Sequence, residues 1–273
     1  MGYASDSSIL IIKCDDLGSS GPANDAIERA MRDGIATSAT LMVPAPSARE
    51  AARRCRDLDV GVHLTLTSEY PTYRWRSLTG APSLHDTEGY LPRTTSEVWA
   101  HAELTDVERE CEAQIERALE WGVDVTHLDS HMDIHELDRH YFSMYLALAE
   151  RYRLPVRVRQ SGIASAFSSM PRTLAKHGVV SPDRLESAPW GDPARGALMK
   201  CIEAARKGVT EFMVHPVTAS EELFAYDTEN ADSRVADAEC LMDEGVKAAI
   251  AVSGVSLIGF RPLREAMRSR LAA

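Results

Sequence analysis

The chain has 273 residues, of which 44% are hydrophobic and 26% charged, and its formal net charge is −11. That length allows one sizeable core, and the acidic balance argues against a nucleic-acid partner, which needs basic patches. No stretch of about 18 apolar residues suggests a membrane span. The opening MGYASDSSIL lacks a signal-peptide pattern. Five scattered cysteines without a C-x-x-C pair suit reduced thiols, and a cytoplasmic location is expected.

In chain order, SILIIKC (8–14) reads as a first strand running into the doublet Asp15-Asp16. PANDAIERAMRDG (22–34) follows as a helix, with Pro22 in its first turn, Ala26, Ile27, Ala30 and Met31 on one side, and Gly34 at its end. ATSATLMV (36–43) and VGVHLTL (60–66) are the next strands. Residues 68–100 hold prolines, aromatics and arginines without a sustained period. This inserted loop is expected either as a wall or lid over a site, or as a surface excursion with a small core around Tyr70, Tyr73 and Trp75. Residues 105–121 form a helix with Val107, Cys111, Ile115, Ala118 and Leu119 on one face, a Thr105–Glu108 capping box and Gly122 at the end. VTHLDS (125–130), PVRVR (155–159), TEFMVHP (210–216) and VSLIGF (255–260) complete seven strands. Strands alternating with helices imply βαβ units. The expected fold is an irregular TIM-like (β/α) barrel of about seven parallel strands, one domain over 1–273, without nucleotide-binding glycine motifs.

In such a barrel the strands' C-terminal ends meet at one face, and residues far apart in sequence converge there. The doublet Asp15-Asp16, His63, the block THLDSHMDIH (126–135) and His215 all fall at or near such ends. Two histidines and a carboxylate with open positions suit a divalent metal, which would also offset the repulsion between adjacent carboxylates. One aspartate would bind the ion and the other would take a proton from water.

IIKCDDLG, GVHLTLT, THLDSHMDIH and FMVHP, with the tail GVSLIGFRPL, resemble the YdjC-like carbohydrate deacetylases, a family that includes chitooligosaccharide deacetylases. The likeness spans nearly the whole chain in order, and the D-S-H block is its most specific part. It implies a TIM-like barrel, one divalent metal ion (Mg²⁺ or Zn²⁺, with Mn²⁺ or Co²⁺ tolerated) and hydrolysis of an N-acetyl group on an amino sugar or oligosaccharide. By the same resemblance Asp16, His63 and His131 match the metal ligands, Asp15 the general base and His215 the general acid. Cys14, Leu17 and Asp133 stand where the family usually carries Ala, Phe and a third histidine.

The remaining candidates carry supporting or substrate-facing expectations. His127 and Asp129 share a strand face and are expected behind the ligands. His135 is expected to face substrate or solvent, and Asp133 to contact sugar. Arg157 or Arg159 is a partner for Asp15, and Trp75 belongs with the substrate-side candidates. Asn24 is expected to make structural hydrogen bonds. Rival readings are another metal-dependent barrel enzyme acting on sugars, an isomerase or phosphoesterase, and a non-catalytic sugar-binding member. A small homo-oligomer would be ordinary for such a barrel.

Overall fold

A computed structural model describes residues 4, 6–159 and 170–271. Its strands are β1 (Ser8–Leu17), β2 (Ser38–Leu41), β3 (Val60–Leu64), β4 (Leu128–Ser130), β5 (Arg184–Glu186), β6 (Gly208–Val214) and β7 (Ser256–Leu257). All pair in parallel in the order β4-β3-β2-β1-β6-β5, with β7 added to β1. Helices link successive strands, as parallel connections require, and the sheet rolls into a TIM-like half-barrel. β1 is its central stave and is buried along nearly all its length. Ile12, Leu41, Val62 and Leu128 lie in the main core with residues of the surrounding helices. Among the described residues, no helix is long and apolar enough to cross a membrane.

The helix predicted at 22–34 is found at Gly21–Arg32, with Pro22 near its start and the Ser20 hydroxyl accepting from the Ala23 N–H. Asn24 is buried on it; its side chain accepts from the Gly18 N–H at 2.8 Å and donates to the Ser47 carbonyl at 3.1 Å.

Three expectations are corrected. PVRVR is not a strand: only Val156 makes a bridge, to Leu128. Pro155 has no N–H for a ladder, and the Arg159 N–H donates to the Glu136 carboxylate instead. The stretch still lies beside β4, through Leu128 N–H to the Pro155 carbonyl (3.0 Å) and Arg157 N–H to the Leu128 carbonyl (3.1 Å). β5 takes the seventh place, and its three half-buried residues offer no apolar signature.

The helix predicted at 105–121 spans Leu104–Glu120 without a side-chain cap. Thr105 is already inside it, so the Thr105–Glu108 box does not form. The capping box is one helix earlier, Thr94 with Glu97. Leu119 is 42% exposed, outside the buried stripe of Val107, Cys111, Ile115 and Ala118.

Residues 68–100 supply part of a cavity wall, and their buried apolar residues join the main core instead of forming a small one of their own. Glu110, buried on helix Leu104–Glu120, accepts from the Leu78 and Thr79 N–H groups (3.0 and 2.9 Å) and pins the segment. Trp75 is 3% exposed and donates through Nε1 to the Thr67 carbonyl. Its ring meets Tyr70 and Tyr73 edge-on. Trp75 is therefore enclosed in the main core and does not face the site, whereas Glu69, Tyr70, Pro71 and Arg93 line the central cavity.

Candidate active site

Consecutive residues of a regular strand point to opposite faces, so two adjacent aspartates would not ordinarily share a site. β1 breaks the rule. Cys14 pairs with Ala39 but Leu17 with Leu41, which leaves one extra residue in β1. Asp16 there has φ +65°, a left-handed conformation that Asp tolerates better than most residues. The bulge turns both carboxylates into the cavity.

Asp16, His63 and His131 are buried and close together. Asp16 Oδ1 lies 3.4 Å from His63 Nε2 and 3.5 Å from His131 Nδ1, and the two ring nitrogens are 3.3 Å apart. Three donors about 2.0–2.2 Å from one tetrahedral ion lie about 3.3–3.6 Å apart, whereas octahedral Mg²⁺ at about 2.1 Å would draw them to about 3.0 Å. Asp16 Oδ1 is buried without a hydrogen-bond partner, and Asp16 Oδ2 accepts from Arg234 Nη1 at 2.9 Å. The free oxygen is thus a one-oxygen donor, and the residues fit a divalent metal.

Each histidine is oriented from behind. His63 Nδ1 meets Asp129 Oδ1 at 2.6 Å, so Nδ1 carries the proton and Nε2 keeps its lone pair for the shared centre. Asp129 Oδ2 contacts the Lys13 ammonium and accepts from Thr40 Oγ1 at 3.1 Å. His131 Nε2 lies 3.1 Å from Glu69 Oε2. Burial depresses His63 to about 4. His131 is raised to about 10 against the cost of burial, by Glu69 and Asp16. Surroundings that favour a proton there also favour a metal cation.

Asp15 sits beside this triad, its Oδ2 4.0 Å from His63 Nε2 and 3.9 Å from His215 Nε2. Burial would raise its pKa, but Arg157 (2.7 Å) and Lys13 (2.6 Å) overcome it and hold the carboxyl well below its usual range. Asp16 is likewise held low against burial, by His131, His63 and Arg234. His215 is lowered by burial despite both aspartates. Its backbone N–H donates to Asp237 Oδ2 (3.1 Å), and its ring meets Trp190 edge-on.

The site forms the floor of a cavity of about 500 Å³. Past Trp190, His215 and Arg234 an adjoining chamber of about 390 Å³ continues, lined also by Asp133, Arg159 and Ser187. Trp190 is 66% exposed at the junction.

The structure thus brings together Asp15, Asp16, His63, His131 and His215, with Asp129 behind His63. Of the arginine pair, Arg157 reaches Asp15; Arg159 pairs with Asp133 at 2.7 Å on the cavity wall. His135 faces neither substrate nor solvent: it is fully buried against the Ser130 hydroxyl (2.8 Å) and the Cys111 sulfur (3.3 Å). His127 is stacked on Phe260 at 3.7 Å and touches none of the three ligands. The Cys14 thiol is buried, and burial and Asp15 push it well up. All five cysteines are free.

The sequence motifs assign no role to Lys13, Glu69, Trp190 or Arg234, although these residues line or support the site. Only Lys13 had a visible signal, a charge inside an apolar run beside the doublet.

The chain is similar to known proteins along nearly its whole length. The chain is 35% identical to a carbohydrate deacetylase of Geobacillus stearothermophilus over 92% of its own length and 96% of that protein's. It is 29% identical to carbohydrate deacetylase 1 of Listeria innocua, over 93% and 99%. An Enterococcus faecalis V583 crystal structure, described as that of a candidate cellobiose-phosphate cleavage protein, superposes with a TM-score of 0.82 at 27% identity. That match covers 94% of this chain and 99% of the other. A model of the YdjC-like protein family matches residues 9–252. The chain belongs to the YdjC-like protein family.

Proposed function

We propose that the protein is a metal-dependent carbohydrate deacetylase that hydrolyses the N-acetyl group of an amino sugar within an oligosaccharide. The observation that carries this reading is the donor triangle of Asp16, His63 and His131 with Asp15 Oδ2 and His215 Nε2 beside it on the cavity floor. The relatives named carbohydrate deacetylases support it, and the donor spacing favours Zn²⁺. The adjoining chamber favours a substrate longer than one sugar.

Asp16, His63 and His131 would hold the ion, which supplies Lewis acidity towards the acetyl carbonyl and lowers the pKa of water. Asp15 takes the proton of the attacking water. A carboxylate held this low is a weak base at equilibrium and does not keep that proton. His215, whose Nε2 is 3.9 Å from Asp15 Oδ2, is neutral at pH 7, receives it and gives it to the departing amine nitrogen as the C–N bond breaks. Arg234 keeps Asp16 Oδ2 engaged, and Trp190 offers an apolar face for a sugar ring.

The rival metal enzymes fit less well. The second acidic group, Asp15, His63 and Asp129, already holds Lys13 and Arg157 as its cations. The test is an acetate-release screen over N-acetylglucosamine, diacetylchitobiose and longer oligomers, with and without chelator and added Zn²⁺ or Mg²⁺. Phosphate release from a cellobiose phosphate serves as the phosphoesterase arm. Acetate that disappears with chelator and returns with metal supports the proposal. Phosphate without acetate, or sugar binding without turnover, replaces it with a rival. Asp15→Asn should bind metal but lose turnover.

A further inference from the structure

Lys13 is the least expected residue of the first strand. Its side chain is fully buried, with Nζ 2.6 Å from Asp15 Oδ1, in contact with Asp129 Oδ2, 3.0 Å from Thr40 Oγ1 and 3.8 Å from Glu211 Oε1. Thr40 and Asp129 accept hydrogen bonds from this ammonium, and Asp15 Oδ1 is its ion-pair partner. Stability is a weak reason for such a charge, because buried ion pairs are often replaced by apolar residues of similar volume at little cost.

The two carboxylates that Lys13 joins have different tasks. Asp129 fixes the ring of His63. Asp15 sits at a bulge, where regular strand pairing is interrupted next to it, so its side-chain partners must set its direction. The Lys13 ammonium pairs with Oδ1, while Oδ2 accepts from Arg157 Nη1 at 2.7 Å and faces His63 Nε2 and His215 Nε2 at 4.0 and 3.9 Å. Arg157 alone would not fix the rotation, because its Nη1 is shared between Asp15 and Asp129 at 2.7 and 3.2 Å.

We propose that Lys13 is a positioning residue that locks the proton-accepting carboxylate Asp15 in register with Asp129, and through it with His63. This rests on the deacetylase reading given above, in which Asp15 accepts the proton.

The test compares the full-length protein with Lys13→Met, and with Lys13→Met/Glu211→Gln in case the single variant fails to fold with an uncompensated carboxylate. Three measurements are made: steady-state kinetics on the best acetylated substrate, calorimetric titration with Zn²⁺ alone, and a crystal structure of the zinc-loaded variant. A displacement of order 1 Å at a reacting group costs on the order of 100-fold, so kcat should fall about 100-fold with KM within about threefold. One equivalent of Zn²⁺ should still bind, with Kd changed less than about tenfold, and Asp15 Oδ2 should have turned away from His215. Because Lys13 acts through Asp15, adding Lys13→Met to Asp15→Asn should cost no more than about threefold beyond Asp15→Asn alone.

A folded, zinc-loaded variant with near-parental kcat overturns the proposal, as does a crystal structure with Asp15 unmoved. If the parent releases acetate from no substrate, the deacetylase reading fails instead. The crystal structure then decides the role of Lys13 by itself.

Discussion

Asp129→Asn is the most informative single change at the metal centre. In the parent, Asp129 Oδ1 accepts the His63 Nδ1 proton at 2.6 Å, while Oδ2 contacts Lys13 and lies 3.1 Å from Thr40 Oγ1 and 3.2 Å from Arg157 Nη1. An amide cannot satisfy both sides. With its NH₂ towards His63, the ring must move its proton to Nε2 and lose the lone pair that faces Asp16 and His131. With its oxygen towards His63, the NH₂ points at the Lys13 ammonium and the Arg157 guanidinium, donor against donor. Loss of such an outer carboxylate typically costs about 10- to 100-fold in metal affinity, or about 1.4–2.7 kcal/mol. Folding should suffer as well, because breaking a buried pair costs about 3–5 kcal/mol; Glu211, 3.8 Å from both cations, takes up part of that. Calorimetric Zn²⁺ titration of metal-stripped protein, with a urea melt on the same samples, measures both quantities. A variant that binds Zn²⁺ as tightly as the parent would refute the assigned tautomer and the role of Asp129.

Three further outcomes are expected. His135 is lowered by burial from 6.5 to about 3. Its folded-state pKa lies below the unfolded one, so its contribution to stability is complete above pH 6.5 and is lost as pH falls towards 3, at about 1.4 kcal/mol per unit. His135→Gln should therefore show a flatter acid limb than the parent in urea midpoints across that window, and identical slopes would count against a buried neutral imidazole. Trp190→Ala should raise KM for acetylated oligosaccharides by about tenfold, the order of one lost aromatic contact, with kcat near the parental value; unchanged KM would remove Trp190 from the substrate path. Gly18→Ala puts a side chain at φ +91° with its Cβ 2.8 Å from Ala48 Cα, beside the β1 bulge. It should lose about 1–3 kcal/mol in denaturant unfolding, and full retention of stability would show that the turn relaxes freely.

Much of the architecture follows from the order of residues alone. The helical spacing of Ala26, Ile27, Ala30 and Met31, the apolar run before Asp15 and the alternation of such segments specify a parallel α/β fold. The motif residues Asp15, Asp16, His63, His131 and His215 are legible because a barrel sends strand ends to one face. What the chain order does not carry is the direction of a side chain or the identity of a partner far away. Asp16 meets Arg234, 218 residues distant, and only the bulge between Cys14 and Leu17 shows how two neighbouring carboxylates enter one site. Arg157 and Arg159 read as equivalents, yet one is buried against Asp15 and the other pairs with Asp133 on the cavity wall. Trp75 and His135 carry chemistry-bearing side chains but are enclosed by packing, whereas Trp190, in an unpatterned loop, stands exposed at the cavity. Spacing sets which residues share an element; burial and long-range pairing set which of them meet, and that is decided only when the elements pack.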